Sequence, residues 1–122
     1  MRTYIVDTYA WIAYFDKGGK IKEVIEKNYL ETPSIVLAEL SRVLARRKTN
    51  EALAQKTIDF VLKRSVILPL VAQNAVRAGK VAEKEGLNLA DAIIYSYVTE
   101  GKTLLSGDEH FRGKPNVEFL KE

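Results

Sequence analysis

Tyr4-Ile5-Val6-Asp7-Thr8-Tyr9-Ala10-Trp11 opens with three residues that suit a pleated strand and passes through a carboxylate into a segment of helical period. A strand over Tyr4–Val6 followed by a helix over Ala10–Phe15 is the first half of a βαβ unit, and the alternation continues down the chain. Further strands are predicted at Tyr29–Thr32, Val66–Leu70, Thr103–Ser106 and Val117–Leu120, and helices at Ile21–Asn28, Ser34–Lys48, Glu51–Lys63, Gln73–Glu85 and Ala90–Glu100. Short apolar strands separated by longer amphipathic helices build a mostly parallel sheet covered by helices, so the fold class is α/β with about five strands. Gly18-Gly19 breaks the first helical region, Thr32-Pro33-Ser34 reads as a helix start, and Gly86-Leu87 reads as a helix C-cap. Gly107, Gly113 and Pro115 mark loops near the C-terminus.

The 122 residues, 47% of them hydrophobic, fall in the size range of one domain, and no linker, repeat or low-complexity tract divides them. There is no cysteine and His110 is the one histidine, which removes thiolate catalysis, disulfides and Cys/His zinc sites. No stretch has the length of a signal peptide or a membrane span, so a cytoplasmic protein is expected. The net charge of +3 and pI near 9.1 are compatible with a polyanionic partner without selecting one.

Four acids stand out. Asp7 follows the first strand and Asp108 follows the strand Thr103–Ser106 after one glycine, which places both at the carboxyl ends of strands, the ligand-binding edge of open α/β sheets. Glu39 flanks the apolar stripe of its helix marked by Val36, Leu40 and Val43. Asp91 shares a helix side with Leu87, Ile94 and Val98. Singly, each has a structural explanation: a turn residue for Asp7 or Asp108, an N-terminal helix acid for Asp91, an outward-bending stem for Glu39. Together, four inward carboxylates without an evident basic partner would repel one another, and a divalent cation resolves the conflict. Magnesium is held by carboxylates, water and substrate phosphate, so the chemistry implied is phosphoryl transfer.

Ile5-Val6-Asp7-Thr8, Pro33-Ser34 leading into Leu37-Ala38-Glu39-Leu40, Leu89-Ala90-Asp91-Ala92-Ile93-Ile94 and Leu104-Leu105-Ser106-Gly107-Asp108-Glu109-His110-Phe111 together resemble the PIN-domain family. The small size resembles the VapC toxin ribonucleases of VapBC toxin–antitoxin pairs. The resemblance covers nearly the whole chain and implies one PIN domain over residues 1–122, with a five-stranded parallel sheet flanked by helices. It implies that Asp7, Glu39, Asp91 and Asp108 are the catalytic, metal-binding acids for Mg²⁺ or Mn²⁺, with Thr8 and Ser106 supporting the site. The implied activity is endoribonucleolytic cleavage leaving a 3′-hydroxyl and a 5′-phosphate, with a VapB-type antitoxin covering the acids and a homodimer as the common assembly. The sequence departs from the common pattern at His110, where many relatives carry another acid, and at Tyr9, where a small polar residue is frequent.

Lys17 and Lys20 follow the first motif and Arg112 and Lys114 the last, so both pairs are candidates to track an RNA backbone. Tyr9, Trp11 and Tyr14 are read as core in preference to a stacking surface, and His110 as a loop residue. Ala75, Ala78 and Ala82 form a small-residue face that would permit helix packing either between copies or inside one. Two alternatives share the fold: a stand-alone PIN nuclease that processes RNA without an antitoxin, and a non-catalytic PIN-like interaction module. An acidic-pocket phosphotransferase fits less well. The phosphatase type wants a second Asp two residues after Asp7, where Tyr9 stands, and the receiver type wants a paired acid near the first strand.

Overall fold

The computed structural model describes residues 1–122. Five strands, β1 (Thr3–Val6), β2 (Tyr29–Pro33), β3 (Val66–Leu68), β4 (Lys102–Ser106) and β5 (Val117–Phe119), form one sheet in the order β3-β2-β1-β4-β5, with every pairing parallel. The crossovers are helical: α1 (Thr8–Asp16) and α2 (Gly19–Lys27) between β1 and β2, α3 (Ser34–Arg46) and α4 (Glu51–Arg64) between β2 and β3, α5 (Ala72–Glu85) and α6 (Leu89–Tyr95) between β3 and β4. A single 3₁₀ turn, Glu109–Phe111, lies between β4 and β5.

This order decides where a ligand can bind. From β1 the chain steps outward to β2 and β3, then returns across the sheet to β4 on the other side of β1, so the strand order reverses between β1 and β4. Loops leaving two such neighbours run apart and open a crevice beyond their carboxyl ends. Val6 is in register with Leu105, so Asp7 and Ser106 stand side by side at that crevice, with Asp108 two residues further on.

The central strands are apolar on both faces, as a sheet covered on both sides requires. Ile5, Val6, Leu104 and Leu105 are fully buried with Trp11, Ile21, Ile25, Val36, Val61 and Phe111. The Trp11 indole satisfies its one donor by giving a 3.1 Å hydrogen bond to Thr32 Oγ1, which allows a large side chain to be buried whole. Tyr14, Phe15 and Phe60 pack around it with ring centroids 5.8, 5.9 and 6.2 Å away. Trp11 is therefore core, and Tyr9 is tied down through its hydroxyl, 3.1 Å from the backbone N–H of Glu122.

Several predicted boundaries move for local reasons. The predicted strand Val66–Leu70 stops at Leu68 because Pro69 has no N–H for a ladder. The predicted helix Ala90–Glu100 ends at Tyr95: Ser96 Oγ bonds back to the Ile93 carbonyl at 2.6 Å, and Tyr97 and Val98 donate to carbonyls only three residues back. A bridge from Thr99 to Lys102 then turns the chain through Gly101, at φ +94°. Val98 consequently lies beyond the helical face that carries Asp91. Gly86 caps α5 in the left-handed conformation at φ +66°, as its position after the periodic segment predicts. The small-residue face of α5 is not a free surface: Ala78 is fully buried and Ala82 packs against the core, which lets α5 lie close against α6, and of the three only Ala75 is exposed. No helix is long and apolar enough to cross a membrane.

Candidate functional site

Asp7 sits where β1 ends and α1 begins, and both of its carboxylate oxygens are engaged. In extended conformation it is the N-cap of α1: Oδ1 accepts the Ala10 N–H at 2.8 Å, while Oδ2 accepts the Ser106 hydroxyl from the neighbouring strand. Ser106 in turn accepts the Asp108 N–H at 3.0 Å, so one hydroxyl links the ends of β1 and β4. Asp108 caps the next turn, accepting the His110 N–H at 2.9 Å. Asp91 stands in the first turn of α6, with Asn88 as the N-cap. Asn88 Oδ1 accepts the Asp91 N–H and Asn88 Nδ2 donates to Asp91 Oδ2, each at 2.9 Å. Glu39, half-buried on α3, accepts a 2.6 Å hydrogen bond from the Thr8 hydroxyl, one residue beyond Asp7.

Asp7, Asp91 and Asp108 each have a local structural role of the kind their positions suggest, and Glu39 is held by Thr8 rather than bent outward to solvent. Asp7 is 2% exposed and Asp91 8%. The Asp7 carboxyl is raised to about 7 by the sum of its surroundings, of which burial is the largest cause. Within that sum the Ser106 and Ala10 donors act to lower it, and the charges of Asp108 and Asp91 add to the rise. A fully buried carboxyl beside two more carboxylates, with only a hydroxyl and a backbone N–H to offset its charge, is an environment that favours a cation.

Ligand atoms of Asp91, Asp108 and His110 all lie within 4.8 Å of one another. His110 Nδ1 is 2.8 Å from Asp91 Oδ2 and 3.4 Å from Asp108 Oδ1. The hydrogen bond to Asp91 and the charges of Asp108 and Asp91 hold its imidazole above the ordinary histidine value. The sequence marks His110 as a loop residue, and the structure puts its ring among the acids. Asn88 was not singled out at all, although Asn88-Leu89-Ala90-Asp91 has the form of a capping box, and that pattern marks it. Asp7 and Glu39 are not in the group of mutually close ligand atoms. Asp7 adjoins it electrostatically, and Glu39 is connected through Thr8.

The donor set is oxygen-rich, anionic and set at an accessible sheet edge, which fits a hard divalent cation with water and phosphate completing its sphere. The basic residues are differently placed. Arg112 is forked onto Glu109 at 2.9 and 2.8 Å and lies 4.3 Å over the Phe119 ring, and Lys114 is tied to the Glu85 carbonyl and carboxylate at 3.2 and 3.4 Å. Lys17 and Lys20 are exposed.

The PIN domain family matches residues 4–116, and the chain belongs to that family. Among solved structures, a chain of a toxin–antitoxin complex from Klebsiella pneumoniae is similar at TM-score 0.81 and 20% identity, covering 98% of this chain and 99% of that one. A chain of VapBC2 from Rickettsia felis, bound to a DNA fragment from its promoter, is similar at TM-score 0.73 and 23% identity over 98% of each chain. VapC20 of Mycobacterium tuberculosis, described as a sarcin–ricin loop cleaving toxin, is similar at TM-score 0.64 and 19% identity, covering 76% of this chain and 78% of that one. Among curated proteins none matches.

Proposed function

We propose that this PIN-domain protein is a divalent-metal-dependent endoribonuclease, the toxin of a toxin–antitoxin pair, with Asp7, Glu39, Asp91 and Asp108 as its metal-holding acids. The observation that carries the reading is a buried Asp7 at the β1–β4 crevice, near enough to the adjoining pair Asp91 and Asp108 for its carboxyl to feel both charges. Family membership supports nuclease chemistry, and the likeness to chains of toxin–antitoxin complexes supports the biological role. RNA as substrate is supported by the likeness to a toxin that cleaves the sarcin–ricin loop.

Magnesium or manganese bound among these acids supplies Lewis acidity and charge neutralisation at a phosphodiester. The chain's own groups prepare that site. Ser106 orients Asp7, Thr8 orients Glu39 and Asn88 orients Asp91, so the carboxylates are fixed before a ligand arrives. Exposed Lys17 and Lys20 are the basic residues free to meet a phosphate backbone, whereas RNA would have to compete with Glu109 for Arg112 and with Glu85 for Lys114. A VapB-type antitoxin partner and a homodimeric assembly belong to the same reading.

The test is cleavage of a panel of single-stranded and hairpin RNAs with Mn²⁺, with Mg²⁺ and with EDTA. Wild type should cut at least one RNA only when metal is present, and Asp7→Asn and Asp91→Asn should each reduce the rate by about 100-fold or more while remaining folded. Equal rates in the variants, or cleavage that persists in EDTA, would remove these residues from the role.

A further inference from the structure

We infer that His110 is a nitrogen ligand to the divalent cation of this site and tilts its selectivity toward manganese and away from magnesium. The inference rests on the reading of the acid cluster as a metal site and adds a residue to it. Three observations bear on it. First, His110 Nδ1 lies 2.8 Å from Asp91 Oδ2 and 3.4 Å from Asp108 Oδ1. Adjacent ligands on an octahedral ion with bonds of about 2.1 Å are separated by about 3 Å, so the three atoms already have the spacing of neighbouring ligands on one cation. Second, the ring is steered there by the backbone. Asp108 accepts the His110 N–H and so forms the turn that points the imidazole at Asp91. Third, the ring is largely exposed, its side chain 61% accessible, so burial does not explain its position.

The chemical consequence follows from ligand type. Carboxylate and water suit both magnesium and manganese, whereas an imidazole nitrogen suits first-row transition ions, of which manganese is the weakest binder, and offers nothing comparable to magnesium, a hard ion that prefers oxygen. A site of Asp91, Asp108 and His110 should therefore bind Mn²⁺ more tightly than Mg²⁺, and replacement of His110 should narrow that gap. A structural role for the ring would change neither the preference nor the spectrum of the bound ion.

The experiment uses Mn²⁺ alone, added to the 122-residue chain with no tag histidines and followed by electron paramagnetic resonance. Because His110 is the one histidine in the chain, an imidazole ¹⁴N coupling on bound Mn²⁺ can come from no other residue. Wild type should show this coupling, and His110→Asn should lose it, with Mn²⁺ affinity about tenfold lower and Mg²⁺ affinity changed far less. Bound Mn²⁺ in wild type without ¹⁴N coupling would overturn the role of His110 and leave the acid site standing, a result that needs no variant to fold. Equal loss of Mg²⁺ and Mn²⁺ affinity in a folded His110→Asn protein would overturn the selectivity claim. No Mn²⁺ bound at millimolar metal, together with no RNA cleavage, would remove the underlying site and the inference with it.

Discussion

Asp7 carries opposing demands in a single carboxylate. It caps α1, it accepts the Ser106 hydroxyl, and it is buried beside two other acids. Its folded pKa is raised from 3.8 to about 7, so between these values the folded protein holds a proton that the unfolded chain has released. The sign follows directly: in EDTA, stability is favoured at the acid end and falls as pH rises from about 4 through about 7, with a total swing bounded by about 4 kcal/mol. Asp7→Asn removes that charge while keeping a side-chain acceptor for the cap. Thermal melts of the metal-free proteins should show the variant gaining on wild type as pH rises, so that it is the more stable of the two at neutral pH. Parallel pH profiles for the two proteins would contradict a charge-destabilised Asp7.

The elements differ in how much of their geometry local sequence specifies, and two glycines illustrate the difference. Gly86 is left-handed at φ +66° with no atom near an added Cβ, so Gly86→Ala should cost only the backbone penalty, about 1–2 kcal/mol. At Gly107 an added Cβ would fall on the Tyr9 ring and the Leu120 carbonyl oxygen, between β4 and the acid Asp108. Gly107→Ala should therefore cost about 3 kcal/mol and also displace the loop that carries Asp108, which urea unfolding and Mn²⁺ titration of both variants would reveal. Equal costs at the two positions would contradict the close approach at Gly107. The role of Gly86 was legible because a C-cap is a local event at the end of a periodic helix. Gly107 could be read only as a loop residue, because the atoms that exclude a side chain come from Tyr9 of α1 and from Leu120, just past the end of β5. The early end of α6 at Tyr95 has a similar cause: the Ser96 back-bond and the Thr99–Lys102 bridge compete with a helix whose apolar pattern continues to Val98.

Across the whole molecule, alternation of apolar strands and amphipathic helices was enough to identify a parallel α/β sheet, because strands covered on both faces read as short continuous apolar runs, distinct from the 3.6 period of the helices that cover them. Strand order was not legible: the adjacency of β1 and β4 pairs residues 99 apart in the chain, with β2 and β3 intervening, yet it brings Asp7 beside Ser106. The four acids could be chosen by residue type and position, but not their proximity. The placement of the His110 imidazole among the acids was not legible, because its direction is fixed by the turn that Asp108 caps and by the distant Asp91. Family membership and fold now agree with the α/β reading, and the claim on which the functional account rests is that this edge gathers a hard cation. Anomalous diffraction from a crystal grown with Mn²⁺ measures that directly. The account predicts a manganese peak at the carboxyl ends of β1 and β4, within bonding distance of Asp91 and Asp108 and adjacent to Asp7. A fully loaded crystal with manganese only elsewhere, or with Asp91 and Asp108 turned away from one another, would contradict it.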